Sequence, residues 1–189
     1  MTPLAQVGVT TGNNMNIPGL TYHTNLLTPE EQQRVLDAVD AQPWRNDLKR
    51  RVQHYGYVYD YKARWVDKSM FLGPLPSFIT EVTEKLQGFN PDQLIVNEYL
   101  PGQGISAHVD CEPCFANTIV TVSLGWPYEM EFTNGNAKET IMLEQGSTLF
   151  MEGEARYKWR HQIRPRLNDH GIKRERRVSL TFRNVILGG

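Results

Sequence analysis

The sequence predicts a mostly β protein of the α+β class, in which two antiparallel sheets face each other and helices pack on the outer face of one sheet. Three observations lead to this fold class. Two segments with helical periodicity lie in the first 90 residues, at least six short β-branched or alternating segments follow Asp92, and turns containing glycine or proline separate those segments. Side chains from several strands converge where such a pair of sheets opens, so we expect the chemistry at that opening.

The composition is that of an ordinary globular protein. The chain has 189 residues, of which 40% are hydrophobic and 22% are charged, and these values argue against disorder and against a coiled coil. No apolar run reaches the ~18 residues of a membrane span, and the first residues lack the basic and then apolar pattern of a signal peptide. We therefore expect a cytoplasmic monomer without membrane contact. A net charge of −1 excludes nucleic-acid binding through bulk basicity, so such binding would be local.

The length predicts one domain. Residues 1–16 are small and polar, which predicts a flexible N-terminal arm, and residues 17–189 form the predicted domain. Within it, a segment at about 44–66 is rich in aromatic and basic residues, and a strand-rich core covers about 92–186.

Two helices are predicted before the strands. The first covers 29–40, because Thr28 suits the N-cap, Pro29 suits the first turn and Glu31 completes a capping box. The second lies near 76–87, where apolar residues recur at helical spacing. The six predicted strands are 93–99, 118–124, 129–132, 140–143, 147–151 and 178–185.

His108 and Asp110 are the strongest candidates for chemistry. In an extended segment, residues i and i+2 project to the same side, so the imidazole and the carboxylate can bind one ion. His161 lies far downstream and would complete a set of two histidines and one carboxylate, which leaves three coordination positions open, as in non-haem Fe(II) oxygenases. A short His-x-Asp alone is more often a surface pair or a core hydrogen bond.

The last predicted strand adds a second signal. Arg177 and Arg183 are six residues apart, so both project to the face that also carries Ser179, whereas the apolar residues between them project into a hydrophobic layer. Two inward guanidiniums need an anionic partner, and a dicarboxylate co-substrate would supply one. The alternative is an exposed edge strand with solvated arginines.

Asn97 and Tyr99 share one face of a further strand and could hydrogen-bond the carboxylate oxygens of the co-substrate. A tyrosine in such a place is also commonly a core residue with its hydroxyl at the rim.

The aromatic and basic segment is suited to stacking a flipped or single-stranded base. Tyr55, Tyr57, Tyr59 and Tyr61 alternate strictly, so one strand face would carry four phenols. Trp44 and Trp65 flank them, and six cations are interleaved with the aromatics: Arg45, Lys49, Arg50, Arg51, Lys62 and Arg64. The alternative is that this aromatic stripe is part of the core.

Two further features remain open or favour a structural explanation. A second basic cluster at 156–177, which begins with Arg156, could contact phosphates or could be a solvated loop. Cys111 and Cys114 form a single C-x-x-C, which is poor evidence for a zinc site, and two reduced thiols are favoured.

Taken together, these motifs resemble the AlkB family of Fe(II)- and 2-oxoglutarate-dependent dioxygenases. The resemblance rests on residues 97–102 (NEYLPG), 105–110 (ISAHVD), 122–125 (VSLG) and 177–183 (RVSLTFR). Residues 50–57 (RRVQHYGY), 101–105 (PGQGI) and 153–161 (GEARYKWRH) are similar to the branch that includes the tRNA wobble-uridine hydroxylase, and the last of these also resembles a branch that acts on proteins. The RNA-recognition module and the methyltransferase domain that accompany the animal wobble enzyme are not in this sequence, which favours the nucleobase dealkylases among stand-alone members.

The resemblance implies a double-stranded β-helix (jelly-roll) core, N-terminal helices packed on one sheet and a nucleotide-recognition lid at about 44–66. It also implies Fe(II), 2-oxoglutarate and O2 as cofactor and co-substrates. The implied iron ligands are His108, Asp110 and His161, and the implied 2-oxoglutarate residues are Asn97, Tyr99, Arg177 and Arg183, to which Ser179 is added for its place on the same face. The expected substrate-binding set is Arg51, Tyr55, Tyr57, Tyr59, Trp65, Glu112 and Arg156.

The expected reaction is oxidative dealkylation of N-alkylated bases in DNA or RNA, with release of an aldehyde, succinate and CO2. The partner would be a nucleic acid with an alkylated or modified base that is flipped or single-stranded. Three alternatives are hydroxylation of a modified tRNA wobble base, demethylation of protein lysine, and a nucleic-acid-binding module that has lost turnover.

Overall fold

A computed structural model of the chain describes residues 16–188. The predicted N-terminal arm therefore falls, except for its last residue, outside the described residues. The strands are β1 Leu20–His23, β2 Val52–Tyr55, β3 Gln93–Tyr99, β4 Ile105–His108, β5 Ile119–Gly125, β6 Tyr128–Asn134, β7 Ala137–Leu143, β8 Thr148–Met151, β9 Arg160–Ile163, β10 Asn168–Asp169, β11 Ile172–Lys173 and β12 Arg177–Arg183.

Two antiparallel sheets form the body of the fold. The larger sheet has the order β1-β8-β5-β12-β3-β2, and the smaller sheet has the order β4-β9-β6-β7. Each pairing between these strands is antiparallel. The prediction of two antiparallel sheets is confirmed. Six strands were not among the predicted ones, because each has four residues or fewer and therefore shows little alternation: β1, β2, β4, β9, β10 and β11.

The predicted first helix is confirmed. Helix α1 spans Pro29–Asp40, and its capping box has both hydrogen bonds: the Glu31 amide donates to the Thr28 hydroxyl oxygen at 3.2 Å, and the Thr28 amide donates to the Glu31 carboxylate at 2.8 Å. Such a cap contributes about 1 kcal/mol to helix stability.

The predicted second helix is wrong in length. A 3₁₀ turn at Ser77–Ile79 leads into a single-turn helix, α2, at Thr80–Thr83. No side chain caps either piece, and Gln87 and Gly88 have φ values of 41° and 85°, so the chain leaves the helical conformation before residue 87. The apolar spacing still places Ile79, Val82 and Leu86 in the core. A third short helix, α3, spans Gly153–Tyr157.

Two hydrophobic layers lie on opposite faces of the larger sheet. The outer layer joins the sheet to α1 and α2 and includes Val178, Leu180 and Phe182 of β12. The inner layer lies between the sheets and includes Phe132 of β6 and Ile163 of β9. The alternation along β12 therefore sends its polar residues between the sheets, as predicted.

The long segment between β2 and α2 does not form the predicted strand. Strand β2 ends at Tyr55, and Gly56 has a φ of +77°. An added Cβ at Gly56 would lie 1.9 Å from the carbonyl oxygen of Asp92, so only glycine fits there. Beyond this bend the chain continues as turns and isolated bridges. None of the helices within residues 16–188 has the length and apolarity needed to cross a membrane.

Candidate metal centre and co-substrate cavity

The three predicted metal ligands meet at one point between the sheets. Strands β4 and β9 pair so that His108 lies opposite His161, and Asp110 follows two residues after His108. One ligand atom from each of the three side chains lies within 4.8 Å of the other two. The Nε2 atoms of His108 and His161 lie 3.4 Å and 3.6 Å from Asp110 Oδ1. This spacing suits three ligands of a single ion.

A glycine permits the close approach of the two histidine-bearing strands. Gly104 precedes β4, and an added Cβ there would lie 2.1 Å from the carbonyl oxygen of Ile163 at the end of β9. Any larger residue would force the loop away from β9. Gly104 therefore helps to set the distance between His108 and His161.

The protonation states also suit metal binding. His108 Nδ1 lies 2.7 Å from the carbonyl oxygen of Ser106. A carbonyl only accepts, so Nδ1 carries the proton and Nε2 offers its lone pair. Burial lowers the pKa of His161 to about 4, with a further contribution from His108, so this imidazole is neutral at pH 7. Burial alone would raise the pKa of Asp110, but the positive charge of Arg183 beside this carboxylate holds the pKa well below its usual range.

Arg156 supports the loop that carries Asp110. Its side chain is 2% exposed, and its guanidinium donates to the carbonyl oxygens of Asp110 at 2.9 Å and of Cys111, Phe115 and Ala116 at 3.2–3.3 Å. Burial lowers the pKa of Arg156. Arg156 was predicted in the substrate-binding set, but the structure buries it behind the metal loop, where it bonds backbone rather than lining the cavity.

Arg183 and Arg177 lie at opposite ends of the inner face of β12. Arg183 Nη1 donates to Asp110 Oδ2 at 3.0 Å, and its Nε donates to Gln93 Oε1 at 2.9 Å. Its guanidinium also lies 3.8 Å from the ring centroid of Phe115. We expected the two inward guanidiniums to need a negatively charged partner, and for Arg183 the Asp110 carboxylate is that partner.

Arg177 has donors without partners. It is fully buried, and its Nη2 donates to Ser123 Oγ at 2.9 Å. Within residues 16–188, its Nε and Nη1 atoms are buried without a hydrogen-bond partner. Burial lowers the pKa of Arg177, and unpaired buried donors of this kind are costly. They fit an anionic ligand, whose carboxylate would accept a hydrogen bond from this guanidinium.

One cavity joins these groups. Its volume is about 490 Å³, and it is lined by the three candidate metal ligands and by each residue of the predicted 2-oxoglutarate set: Asn97, Tyr99, Arg177, Ser179 and Arg183. The pairing of β3 with β12 sets Asn97 beside Ser179 and Tyr99 beside Arg177. The structure thus brings these five residues together in one cavity, and the role of each in binding 2-oxoglutarate stays a prediction.

The four alternating tyrosines do not share one face, and that prediction is wrong. Tyr55 packs in the outer layer, edge-on to Phe78, and its hydroxyl donates to Gln53 Oε1 at 2.7 Å. Tyr59 and Tyr61 lie in the inner layer and line the cavity with ring centroids 5.0 Å apart. The cause is the bend at Gly56, which ends the strict alternation.

Tyr57 also lies away from the cavity. It packs against the inner layer, with its ring tilted against that of Phe71 at a centroid distance of 5.1 Å, and it does not line the cavity.

Three other predicted substrate residues do not line the cavity either. Arg51 forms a two-pronged ion pair with Glu98 at 2.8 Å and lies over the Trp44 ring. Trp65 is 53% exposed, and its Nε1 donates to Asp67 Oδ2 at 3.0 Å. Glu112 is exposed on the loop after Asp110.

The cavity lining also includes two arginines and a tyrosine that were not in the predicted set: Arg50, Arg64 and Tyr61. Neighbouring residues of an extended chain project to opposite sides, so the sequence predicts that only one of Arg50 and Arg51 faces the cavity, but not which one. The contact between Arg64 and the carbonyl oxygen of Val109, at 3.3 Å, spans 45 residues, and no local pattern indicates it.

The two cysteines form a disulfide, so the prediction of reduced thiols is wrong for this structure. A turn, in which the Cys114 amide donates to the Cys111 carbonyl oxygen at 3.3 Å, brings the two residues together.

The second basic cluster is mostly paired within the protein. Arg164 binds Glu131, Arg166 binds Glu129 and Asp169, and the buried Arg174 binds Asp169. Arg176 binds Asp40 and Glu98. These pairs favour a structural role over phosphate contact.

The fold and the site together define a 2-oxoglutarate- and Fe(II)-dependent oxygenase. The model of the 2OG-Fe(II) oxygenase superfamily matches residues 19–183, and the chain belongs to that superfamily. It is therefore a dioxygenase that uses Fe(II), 2-oxoglutarate and O2.

Its relatives include AlkB proteins, which confirms the resemblance predicted from the sequence. It is 38% identical to an alkylated DNA repair protein ALKBH8 homolog of Arabidopsis thaliana, over 92% of the chain and 60% of the relative. It is 40% identical to the Xenopus tropicalis tRNA (carboxymethyluridine(34)-5-O)-methyltransferase alkbh8, over 80% of the chain and 26% of the relative. It is 33% identical to the alpha-ketoglutarate-dependent dioxygenase AlkB of Salmonella typhimurium, over 69% of the chain and 64% of the relative.

The fold agrees with these sequence relationships. The structure of OsALKBH1 superimposes with a TM-score of 0.67 at 18% identity, over 88% of this chain and 97% of that one. The jelly-roll core and the helices on one sheet are thereby confirmed.

Proposed function

We propose that the protein hydroxylates a carbon attached to a nucleobase of DNA or RNA, and that on an N-alkyl carbon this leads to loss of the alkyl group. The products would be the dealkylated base, an aldehyde, succinate and CO2. The observation that carries the proposal is a single cavity that combines three metal-ligating side chains, an unpaired buried arginine and a wall of two tyrosines.

His108, Asp110 and His161 would hold Fe(II) and leave three positions open. Asn97, Tyr99 and Arg177 would hold 2-oxoglutarate, whose carboxylate would accept a hydrogen bond from the Arg177 guanidinium, which has unpaired donors. When bound, Fe(II) and 2-oxoglutarate supply the O2-dependent oxidation, and the protein supplies orientation and a cavity poor in water.

The cavity wall near the metal ligands suits a planar ring. Tyr59 and Tyr61 line it, and aromatic side chains stack bases of any sequence. The Tyr61 hydroxyl is buried without a partner in the described part of the chain, and burial raises the pKa of Tyr61 to about 12, so it stays a hydrogen-bond donor at pH 7. A base would reach this wall only if it is flipped or single-stranded.

A second candidate is hydroxylation of a modified uridine in tRNA. It is favoured by the similarity to the Xenopus tropicalis relative, whose name specifies carboxymethyluridine at tRNA position 34. The chain spans 26% of that relative. The two candidate reactions differ in their products. Hydroxylation of an N-alkyl carbon leads to loss of the alkyl group, whereas hydroxylation of a carbon that is not attached to nitrogen leaves a stable alcohol.

Mass spectrometry of reaction products tests both candidates. The protein is incubated with Fe(II), ascorbate and 2-oxoglutarate and with methylated or etheno-adducted DNA and RNA oligomers, bulk tRNA, or methyllysine peptides. We expect loss of an alkyl group from an oligomer, or a gain of one oxygen in tRNA, and neither with the Asp110→Asn variant. Turnover of the peptides alone, or nucleic-acid binding without succinate formation, would overturn the proposal.

A further inference from the structure

The cavity contains more positive charge than the groups assigned so far require. Four arginines line it, namely Arg50, Arg64, Arg177 and Arg183, against one carboxylate, that of Asp110. Asp110 is paired with Arg183. Among residues 16–188, neither Arg50 nor Arg177 has a carboxylate within ion-pairing distance. Within the described residues Arg64 has none either, since its hydrogen bond goes to the carbonyl oxygen of Val109, so three of the four cations lack an anionic partner. Arg50 and Arg177 are the two of these that lie near Tyr99.

These two arginines lie close to the same aromatic ring. The guanidinium carbon of Arg177 is 5.3 Å from the ring centroid of Tyr99, and that of Arg50 is 5.8 Å from it. Both guanidiniums line the same cavity, so the charges of both act on a ligand that is bound there. A dianionic ligand fits this end of the cavity better than a monoanion, because a second carboxylate would offset the charge of both arginines.

Arg50 also determines which way the Asn97 amide points. Its Nε donates to Asn97 Oδ1 at 3.0 Å, and a guanidinium has no acceptor atom. The Asn97 oxygen must therefore face Arg50, and the Asn97 NH2 group is left to donate elsewhere. Asn97 is 8% exposed and lines the cavity, so this donor is available to a carboxylate oxygen of a ligand there.

We propose that Arg50 is a binding and positioning residue of the 2-oxoglutarate site. It adds a second cation for the carboxylate that Arg177 binds, and it holds the Asn97 amide with its donor toward that carboxylate. This proposal does not depend on the nucleic-acid substrate, since it concerns the co-substrate alone.

The next residue along the chain is a matched control. Arg51 projects to the opposite side, where Glu98 and the Trp44 ring hold it, and it does not line the cavity. Arg50 and Arg51 thus carry the same side chain at adjacent positions, one inside the cavity and one outside it.

Calorimetric titration of the Mn(II)-loaded protein tests the proposal without turnover. The ligands are 2-oxoglutarate and 2-oxopentanoate, which has the same chain length but lacks the second carboxylate. We expect Arg50→Ala to weaken 2-oxoglutarate binding about tenfold and to leave 2-oxopentanoate binding within about twofold of the wild type. Arg50→Lys keeps the charge and is expected to recover part of the loss, whereas Arg51→Ala is expected to match the wild type.

Three outcomes would overturn the proposal. They are unchanged 2-oxoglutarate affinity in Arg50→Ala, equal losses for the diacid and the monoacid, and the same loss in Arg51→Ala as in Arg50→Ala. Thermal unfolding of each variant distinguishes a binding effect from loss of the fold, and Arg50→Lys gives a second reading if Arg50→Ala is unstable.

Discussion

Arg156 is a buried cation whose hydrogen bonds all go to backbone carbonyl oxygens of the loop from Asp110 to Ala116. That loop carries one candidate metal ligand and the Cys111–Cys114 disulfide. The Arg156 side chain therefore has two effects. It donates hydrogen bonds to four backbone carbonyl oxygens, and it fixes the position of the loop that carries the Asp110 carboxylate. A solvated phosphate-binding arginine would have neither property.

Arg156→Met should reduce the free energy of unfolding by about 3 kcal/mol, because buried carbonyl oxygens lose their donors. It should also weaken Mn(II) binding, since the loop that carries Asp110 is no longer held. Denaturant titration and metal calorimetry measure the two effects. Lys158→Ala on the same helix end removes an exposed pair with Glu154 and should change stability by less than about 0.5 kcal/mol. Equal stability of the two variants would contradict the structural role of Arg156.

His54 gives a pH dependence of stability. Burial, with the nearby charges of Arg45 and Arg183, lowers the pKa of His54 from 6.5 to about 4. Between these two values the unfolded chain binds a proton that the folded protein does not. The free energy of unfolding therefore decreases as the pH falls from about 7 to about 4, by up to about 3 kcal/mol from this residue.

The variant His54→Gln should remove that part of the slope. Denaturant titrations of both proteins in metal-free buffer at several pH values give the difference, in which the effect of His161 cancels because both proteins retain it. Above pH 7 the two slopes should agree. If the free energy of unfolding has the same slope against pH in both proteins from pH 4 to 7, then the pKa of His54 does not differ between the folded and the unfolded state.

Much at the residue scale could be predicted from the sequence. The spacing of Arg177 and Arg183 predicted their common face, and the His-x-Asp spacing predicted a shared ion site. The ion pair of Arg183 with Asp110 was not predictable, because it joins residues 73 positions apart. The choice between Arg50 and Arg51 depended on where one strand begins, which is the least certain part of a sequence-based prediction.

At the scale of elements, the segment from Trp44 to Trp65 connects both hydrophobic layers. Its first part, strand β2, pairs with β3 and places Tyr55 under the helices. Its second part, after Gly56, crosses to the inner layer and is tied to the metal loop through Arg64 and Val109. The segment is therefore both a sheet edge and a cavity wall.

This division predicts different effects for two tyrosines. Tyr61→Phe removes a hydroxyl that lines the cavity, and it should lower nucleic-acid turnover about tenfold while leaving substrate-independent 2-oxoglutarate decarboxylation unchanged. Tyr55→Phe removes a hydroxyl in the outer layer and should leave both activities unchanged. Succinate assays with and without oligonucleotide measure the two activities. A loss of turnover in Tyr55→Phe equal to that in Tyr61→Phe would count against the cavity wall as the substrate site.

The elements were predicted unevenly for a physical reason. Helix α1 has a full capping box, and β3, β5 and β12 are long central strands whose alternation two layers enforce. Strands β1 and β9 are four residues long, and their pairing with distant strands defines them. Local sequence carries little of that information.

At the scale of the whole molecule, the two facing sheets bring together residues that are far apart in the sequence. The larger sheet supplies the arginines and the amide, and the smaller sheet supplies the two histidines. Helices α1 and α2 pack on the outer face of the larger sheet, whereas the cavity with the candidate metal ligands lies between the sheets. This architecture explains why residues from seven strands share one cavity.

Removing any one of the candidate ligands should abolish succinate formation without unfolding the protein. We expect this for His108→Ala, His161→Ala and Asp110→Asn, the last of which keeps an oxygen acceptor for Arg183. Circular dichroism checks the fold. Succinate formation at the wild-type rate in any of these variants would exclude that residue as a ligand.

Anomalous diffraction from crystals soaked with Mn(II) and 2-oxoglutarate would locate the metal ion and the co-substrate together. We expect one strong peak within coordination distance of His108, Asp110 and His161, with the co-substrate extending from it toward Arg177. A peak bound by other residues, or a co-substrate carboxylate that does not contact Arg177, would contradict this expectation.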